Sequence, residues 1–293
     1  MASATGDVSL SRSAALAIAA TLDFARANAR DDYQTILVAK SFEQPTHWRS
    51  EGNADYGMTN DRVGHRYICP IYDYFLLSIT DYPFERREDR RDTIITFNYD
   101  LLIEQALHNL RIPFEYGFHS EVSEYDSSSF CSPDSNLREI GVLKLHGSLN
   151  WAIREHADDK MTVFGTYDDI RKENLNPMLL PPTWQKVFRP QLSEVWDMAV
   201  RELRDATRII ILGYSMPPTD LHFKYLLAAG LEANNSIRQI WTVNLDGNLP
   251  ERFSNVFRPE IQSRLVRYVR TDTRSFFTRG CQEIGRGLSG PFF

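Results

Sequence analysis

The stretch Thr93-Ile94-Ile95-Thr96-Phe97-Asn98-Tyr99-Asp100 decides how this chain is read: four β-branched residues, one aromatic, then an amide, a phenol and a carboxylate. β-Branched side chains pack well on a pleated surface, whereas Asn and Asp favour turns and helix caps. The octet is a strand that stops in a polar turn. Working outward, the same pattern recurs at 142–145 (VLKL) before His146-Gly147-Ser148, and at 208–212 (RIIIL) before Gly213-Tyr214-Ser215. It recurs again at 240–243 (IWTV) before Asn244-Leu245-Asp246, and a fifth β-rich run lies at 265–269 (LVRYV). Helix-length segments separate the runs: 100–110, then 192–206 with Leu192, Val195, Trp196, Ala199 and Leu203 on one face, then 220–233. Strands alternating with helices predict an α/β fold, a Rossmann-like three-layer αβα arrangement on a mostly parallel sheet.

In open α/β sheets ligands bind just outside the carboxyl ends of the strands. Four polar strand ends in one chain therefore point to one crevice. Each group also has a plain structural explanation. Asn98 suits the cap of the helix expected from Asp100, and His146 suits a core histidine bonded to a carbonyl. Gly147 and Gly213 suit tight turns, and Asn244 and Asp246 suit turn formation before Gly247. The functional reading rests on all four ends occurring together.

Other motifs lack the context they need. Gly285-Arg286-Gly287-Leu288-Ser289-Gly290 matches G-x-G-x-x-G, yet only three residues follow it and no strand clearly precedes it. Gly213-Tyr214-Ser215-Met216-Pro217 resembles a nucleophile elbow with proline in place of the second glycine. The only histidine beyond Ser215 is His222, which precedes the nearest candidate acid, Asp246. No Walker-type phosphate loop is present, and His47, His65, His108, His119 and His156 show no metal-ligand spacing.

The 293 residues, 42% hydrophobic and 25% charged, suffice for a sizeable core and read as one domain over 1–293, with a recognisable core at 93–275. Residues 1–92 are the least readable: a helix over 11–29, a short apolar run at 35–39 and a helical spacing at 71–80. ERREDRRD at 85–92 is a solvated charge run, and the Ser-, Asp- and Pro-rich 121–136 reads as a surface loop. With 33 basic against 39 acidic residues the net charge is −6, which disfavours nucleic acid and anionic membranes as direct partners. Cys69, Cys131 and Cys281, odd in number and far apart, form neither a disulfide framework nor a structural zinc site and point to a reducing, cytoplasmic setting. The apolar 14–22 loosely mimics a signal peptide, but Asp7 and Asp23 interrupt that pattern and the spacing suits an ordinary helix. No apolar run reaches the ~18 residues of a membrane span.

The motifs, taken in order, resemble the sirtuins. Thr96-Phe97-Asn98-Tyr99-Asp100 is similar to their T-x-N-x-D motif, Leu145-His146-Gly147 to their catalytic His-Gly, Gly213-Tyr214-Ser215 to their Gly-Thr-Ser turn, and Val243-Asn244 to the strand-end Asn on the adenosine ribose. The runs LPPTWQK at 180–186 and ILGYSMPPTDLHFKYLL at 211–227 resemble the sirtuin-like domains of bacterial proteins, many of which act in anti-phage defence. Two departures accompany the likeness. No cysteine lies between His146 and Gly213, where protein-deacylating sirtuins carry a four-cysteine zinc module, so the resemblance implies no zinc and disfavours deacylation. The glycine-rich G-A-G-x-S turn that would hold a pyrophosphate is also absent before Thr93, so either the chain is a fragment or its NAD site is degenerate.

What the resemblance implies is cleavage of the nicotinamide–ribose bond of NAD with water as acceptor. Asn98 would orient the water or ribose, Asp100 would hold the nicotinamide carboxamide, and His146 would act as general base. Thr96, Tyr99 and Gly147 would shape that end of the site. Gly213, Tyr214, Ser215, Asn244 and Asp246 would serve the phosphates and adenosine. A sensor that binds NAD or an ADP-ribose-type molecule without turnover, and an inactive remnant acting through a partner protein or a second copy, remain as other readings.

Overall fold

The computed structural model describes residues 92–110, 112–118, 139–154, 161–180, 192–216, 221–254 and 259–273, together with 36–37, 68–69, 72, 75–76, 121–122, 256–257 and 275–276. The two shortest strands, β1 (Ile36–Leu37) and β2 (Ile68–Cys69), pair antiparallel. The expected helix over 11–29 lies outside the described residues, and Tyr72, Phe75 and Leu76 of the 71–80 segment are helical.

The octet at 93–100 forms β3 (Thr93–Thr96), which runs parallel to β6 (Ile140–Lys144), and β4 (Phe114–Glu115) pairs parallel on the other edge of β6. A second parallel ladder orders β10 (Arg208–Leu212), β11 (Gln239–Asn244) and β12 (Val266–Arg270), with β11 in the centre. Every residue of β6 and the four inner residues of β11 are buried, the expected state of parallel strands covered on both faces.

Alternation along β3 and β6 divides the core into layers. Ile94 and Val142 face a cluster built by α1 (Leu102–Asn109) through Ile103, Ala106 and Leu107. Ile95 and Leu143, one residue on, face the opposite cluster with Val195, Ala199 and Leu203 of α3 (Ser193–Asp205). Helix α4 (Leu221–Glu232) packs beside α3, where Gly230 lies against Leu203, and adds Phe223, Leu226 and Leu227 to the same cluster. The Rossmann-like αβα order is therefore present.

Element ends differ modestly from expectation. Helix α1 begins at Leu102, with Leu101 as an N-cap that makes no side-chain cap bond; Asp100 just before it forms a turn, its Oδ1 accepting the N–H of Leu102 at 3.1 Å. Leu265 closes α6 (Pro259–Leu265), which follows α5 (Leu249–Phe253), so β12 starts one residue late.

Between the ladders lies a sheet the sequence did not announce. Its order is β5 (Glu121–Val122), β8 (Met161–Val163), β7 (Gly147–Ile153) and β9 (Pro177–Leu179), with β7 antiparallel to both neighbours. Glu121 and Val122, expected in a surface loop, pair instead with Thr162 and Val163. The six-residue α2 (Tyr167–Lys172) sits between β8 and β9 behind a capping box in which Thr166 and Asp169 satisfy each other's backbone N–H groups.

Candidate functional site

Polar residues that follow β3 are held by backbone bonds to the neighbouring strand end. Leu145 N–H donates to Thr96 O at 3.0 Å and Leu149 N–H to Tyr99 O at 3.0 Å. Asn98 N–H donates to Thr96 Oγ1 at 3.1 Å. Asn98 itself is exposed, and its side-chain amide has no hydrogen-bond partner among the described residues. Asn98 does not cap α1, whose N-cap is Leu101.

His146 is 8% exposed and lies between two rings, Phe97 at 4.9 Å and Tyr99 at 6.2 Å. Its backbone is gripped from both sides: Leu180 N–H donates to His146 O at 2.8 Å, and the Trp196 indole donates to Leu145 O at 3.0 Å. Gly147 then turns the chain into β7 at φ +89°, against the backbone of Met178. Tyr99 donates its hydroxyl to Leu180 O, and burial pushes this phenol up to about 12.

The second ladder contributes its own strand ends. Gly213, at φ +67°, donates its N–H to Val243 O at 2.9 Å. Among the described residues, a Cβ built there would meet only Thr273 Oγ1, at 3.5 Å. Tyr214 stacks on Phe97 at 5.8 Å and touches Phe223 at 4.4 Å, joining the β3–β6 end to the β10–β11 end. Ser215 is exposed, and its carbonyl accepts from Arg252 Nη1 at 2.7 Å.

The next two candidates turn inward to their own loop. Asn244 Oδ1 accepts the N–H of Asp246 at 3.0 Å, and Asp246 Oδ1 accepts the N–H of Asn248 at 2.9 Å. Asp246 Oδ2 pairs with Arg252 at 3.0 Å. Both carboxylate oxygens of Asp246 thus hold the turn, whereas the structure brings His146 and Tyr214 around Phe97, the residue that precedes Asn98.

Arg252 was not visible as a site residue in the sequence, and neither was the buried pair Lys144–Glu104. Lys144 Nζ lies 2.8 Å from Glu104 Oε1, with side-chain exposures of 1% and 3%. The same ammonium donates to the carbonyls of Tyr99, at 3.3 Å, and Asp100. Glu104 Oε1 also accepts from the hydroxyl of Tyr116, whose phenol is held well above its ordinary value by burial and then by the charge of Glu104. Only the lysine two residues before His146 could have signalled this cluster, and charge at a strand end is ordinarily read as solvent-facing.

A family model described as SIR2-like domain matches residues 92–257, more than half of the chain. The chain belongs to the SIR2-like domain family. The match spans every strand end described above, from Thr96 to Asp246. SIR2-like domains bind NAD. An exposed amide, a ring-lined histidine and a glycine turn at the carboxyl ends of two parallel ladders, joined by the Phe97–Tyr214 ring contact, fit a dinucleotide with hydrogen-bonding and aromatic groups. No curated protein matches this SIR2-like chain. Among the described residues there is no cluster of three or more His, Cys, Asp or Glu placed to hold a metal, and no helix long and apolar enough to cross a membrane.

Proposed function

We propose that this SIR2-like chain hydrolyses NAD to nicotinamide and ADP-ribose. The observation that carries the reading is the exposed amide of Asn98, which has no hydrogen-bond partner among the described residues and is set in the chain between Phe97 and Tyr99, the two rings nearest His146. Water held by Asn98 bonds to C1′ of the ribose, and the electron pair of the C1′–N bond returns to the nicotinamide ring. The proton released by the water passes to His146. The rings around His146 exclude other solvent, which strengthens the polar contacts that remain. Asp100 keeps one carboxylate oxygen on Leu102 and offers the other to the carboxamide. Thr96, Tyr99 and Gly147 fix the loop, while Gly213, Tyr214, Ser215 and Asn244 take the phosphate and adenosine side. Asp246 reaches a ribose hydroxyl only by leaving Arg252.

A setting in the cytoplasm, a role in anti-phage defence and an activating partner protein or second copy of the chain belong to the same reading and follow from the family likeness alone. The competing reading is an NAD or ADP-ribose sensor. It is favoured by Asp246, whose carboxylate is spent within its own turn, and by the missing glycine-rich turn. Product analysis separates the two. Equal amounts of nicotinamide and ADP-ribose from NAD support hydrolysis, whereas saturable binding with NAD recovered unchanged assigns the sensor.

A further inference from the structure

We infer that Lys144 is a positioning residue of the NAD site, holding the loop 98–101 in place from beneath; the inference rests on the site proposed above. The ammonium has three N–H groups, and the structure gives each an acceptor: Glu104 Oε1, Tyr99 O and Asp100 O. Two of the three acceptors are consecutive carbonyls of the loop that carries Asn98. Lys144 also closes β6, so one strand end supplies this grip and, two residues later, His146. The amide and the histidine are thereby tied to a common point in the core.

Stability alone does not account for the arrangement. Burying an ammonium and a carboxylate is costly, and well-packed apolar residues commonly do as well in their place. Oε1 serves both Lys144 and Tyr116, while Oε2 is buried with no hydrogen-bond partner among the described residues. A polar chain continues from Tyr116, which accepts from Asn150 Nδ2 at 3.2 Å, and Asn150 Oδ1 accepts from Ser148 at 2.7 Å. Strand β7, which leaves the site at Gly147, is thus connected to the same carboxylate. The pair is arranged around the loop carbonyls rather than around its own hydrogen-bonding capacity.

The test replaces both partners, Lys144→Met with Glu104→Met, so that no charge is left buried. The double variant is expected to fold with a melting midpoint near the parent's, to lose ~10–100-fold in kcat and to bind ADP-ribose as the parent does. An unchanged kcat in the double variant, or an equal loss of ADP-ribose binding, overturns the inference. Amide exchange across 98–105 is read in parallel: faster exchange in the double variant supports the inference, and unchanged exchange overturns it. If the parent does not turn over NAD, the proposed hydrolysis fails by itself and the exchange measurement still decides the role of Lys144. If the double variant does not fold, Lys144→Met with Glu104→Gln takes its place, which leaves no buried charge and keeps an acceptor for Tyr116, with faster exchange across 98–105 expected and unchanged exchange overturning the inference.

Discussion

Gly147→Ala tests how His146 is held. Glycine 147 sits at φ +89°, and a Cβ there would lie 2.9 Å from the carbonyl carbon of Met178 and closer still to its oxygen. The obstacle is backbone on a paired strand, since Gly147 is in register with Leu179, so no side-chain rotation relieves it. Forcing a non-glycine residue into this conformation costs on the order of 1–3 kcal/mol. Parting β7 from β9 also breaks the bond from Leu180 N–H to His146 O, worth about 1 kcal/mol. The expected loss is about 2–4 kcal/mol, large against a typical total stability yet short of preventing folding. Gly213→Ala is the matched control: it shares a positive φ but, among the described residues, meets only Thr273 Oγ1 at 3.5 Å, and should lose about 1–2 kcal/mol. Urea unfolding of the two variants beside the parent gives both numbers. Equal losses, or a Gly147→Ala loss under about 0.5 kcal/mol, would refute the claim that backbone crowding fixes the turn after His146.

Three further outcomes follow from individual contacts. Gly230→Ala places a Cβ 3.1 Å from Leu203 Cδ1 and closer to its Cβ, so the α3–α4 contact should weaken by about 1–3 kcal/mol in the same unfolding assay. Burial raises Tyr99 from its ordinary value to about 12, so its contribution to stability is complete below pH 10 and fades between about pH 10 and 12; Tyr99→Phe should flatten that alkaline limb of the melting profile. Burial alone would raise Asp169, but hydrogen bonds from Lys172 and Thr166 hold it below its usual value. Its contribution is therefore present above the unfolded-state pKa and lost as pH falls through the folded one, and Asp169→Asn should remove that acid-side dependence.

How far the sequence could be read depended on whether a residue's partners were near it along the chain. Strands β3, β10 and β11 were legible because β-branched runs break sharply into polar turns, and α3 because Val195, Ala199 and Leu203 repeat at helical spacing. Strand β7 was not: six of its seven residues are buried, so no alternation marks it, and its polar Ser148 and Asn150 are satisfied by each other and by Phe164 O. The candidate residues were found by their position at strand ends, which is local information. Lys144 and Glu104 are 40 residues apart, and Arg252 is 37 residues from the carbonyl it holds at Ser215, so no local pattern could reveal either cluster. Asp100 shows the limit from the other side. Residues 98–100 contain two residue types that favour caps, yet the structure makes Leu101 the N-cap, uses Asp100 in the turn before it and leaves the Asn98 amide without a partner among the described residues.

The central claim is that Asn98 and His146 turn over NAD at this sheet edge. Nicotinamide release from NAD by the purified chain, measured beside Asn98→Ala and His146→Ala variants whose folding is checked by melting, tests it most directly. Release by the parent and its loss in both variants are expected, with Asn98→Ala melting within about 0.5 kcal/mol of the parent because its exposed amide bonds to none of the described residues. Release that survives either substitution, or no release from the parent at all, would contradict it.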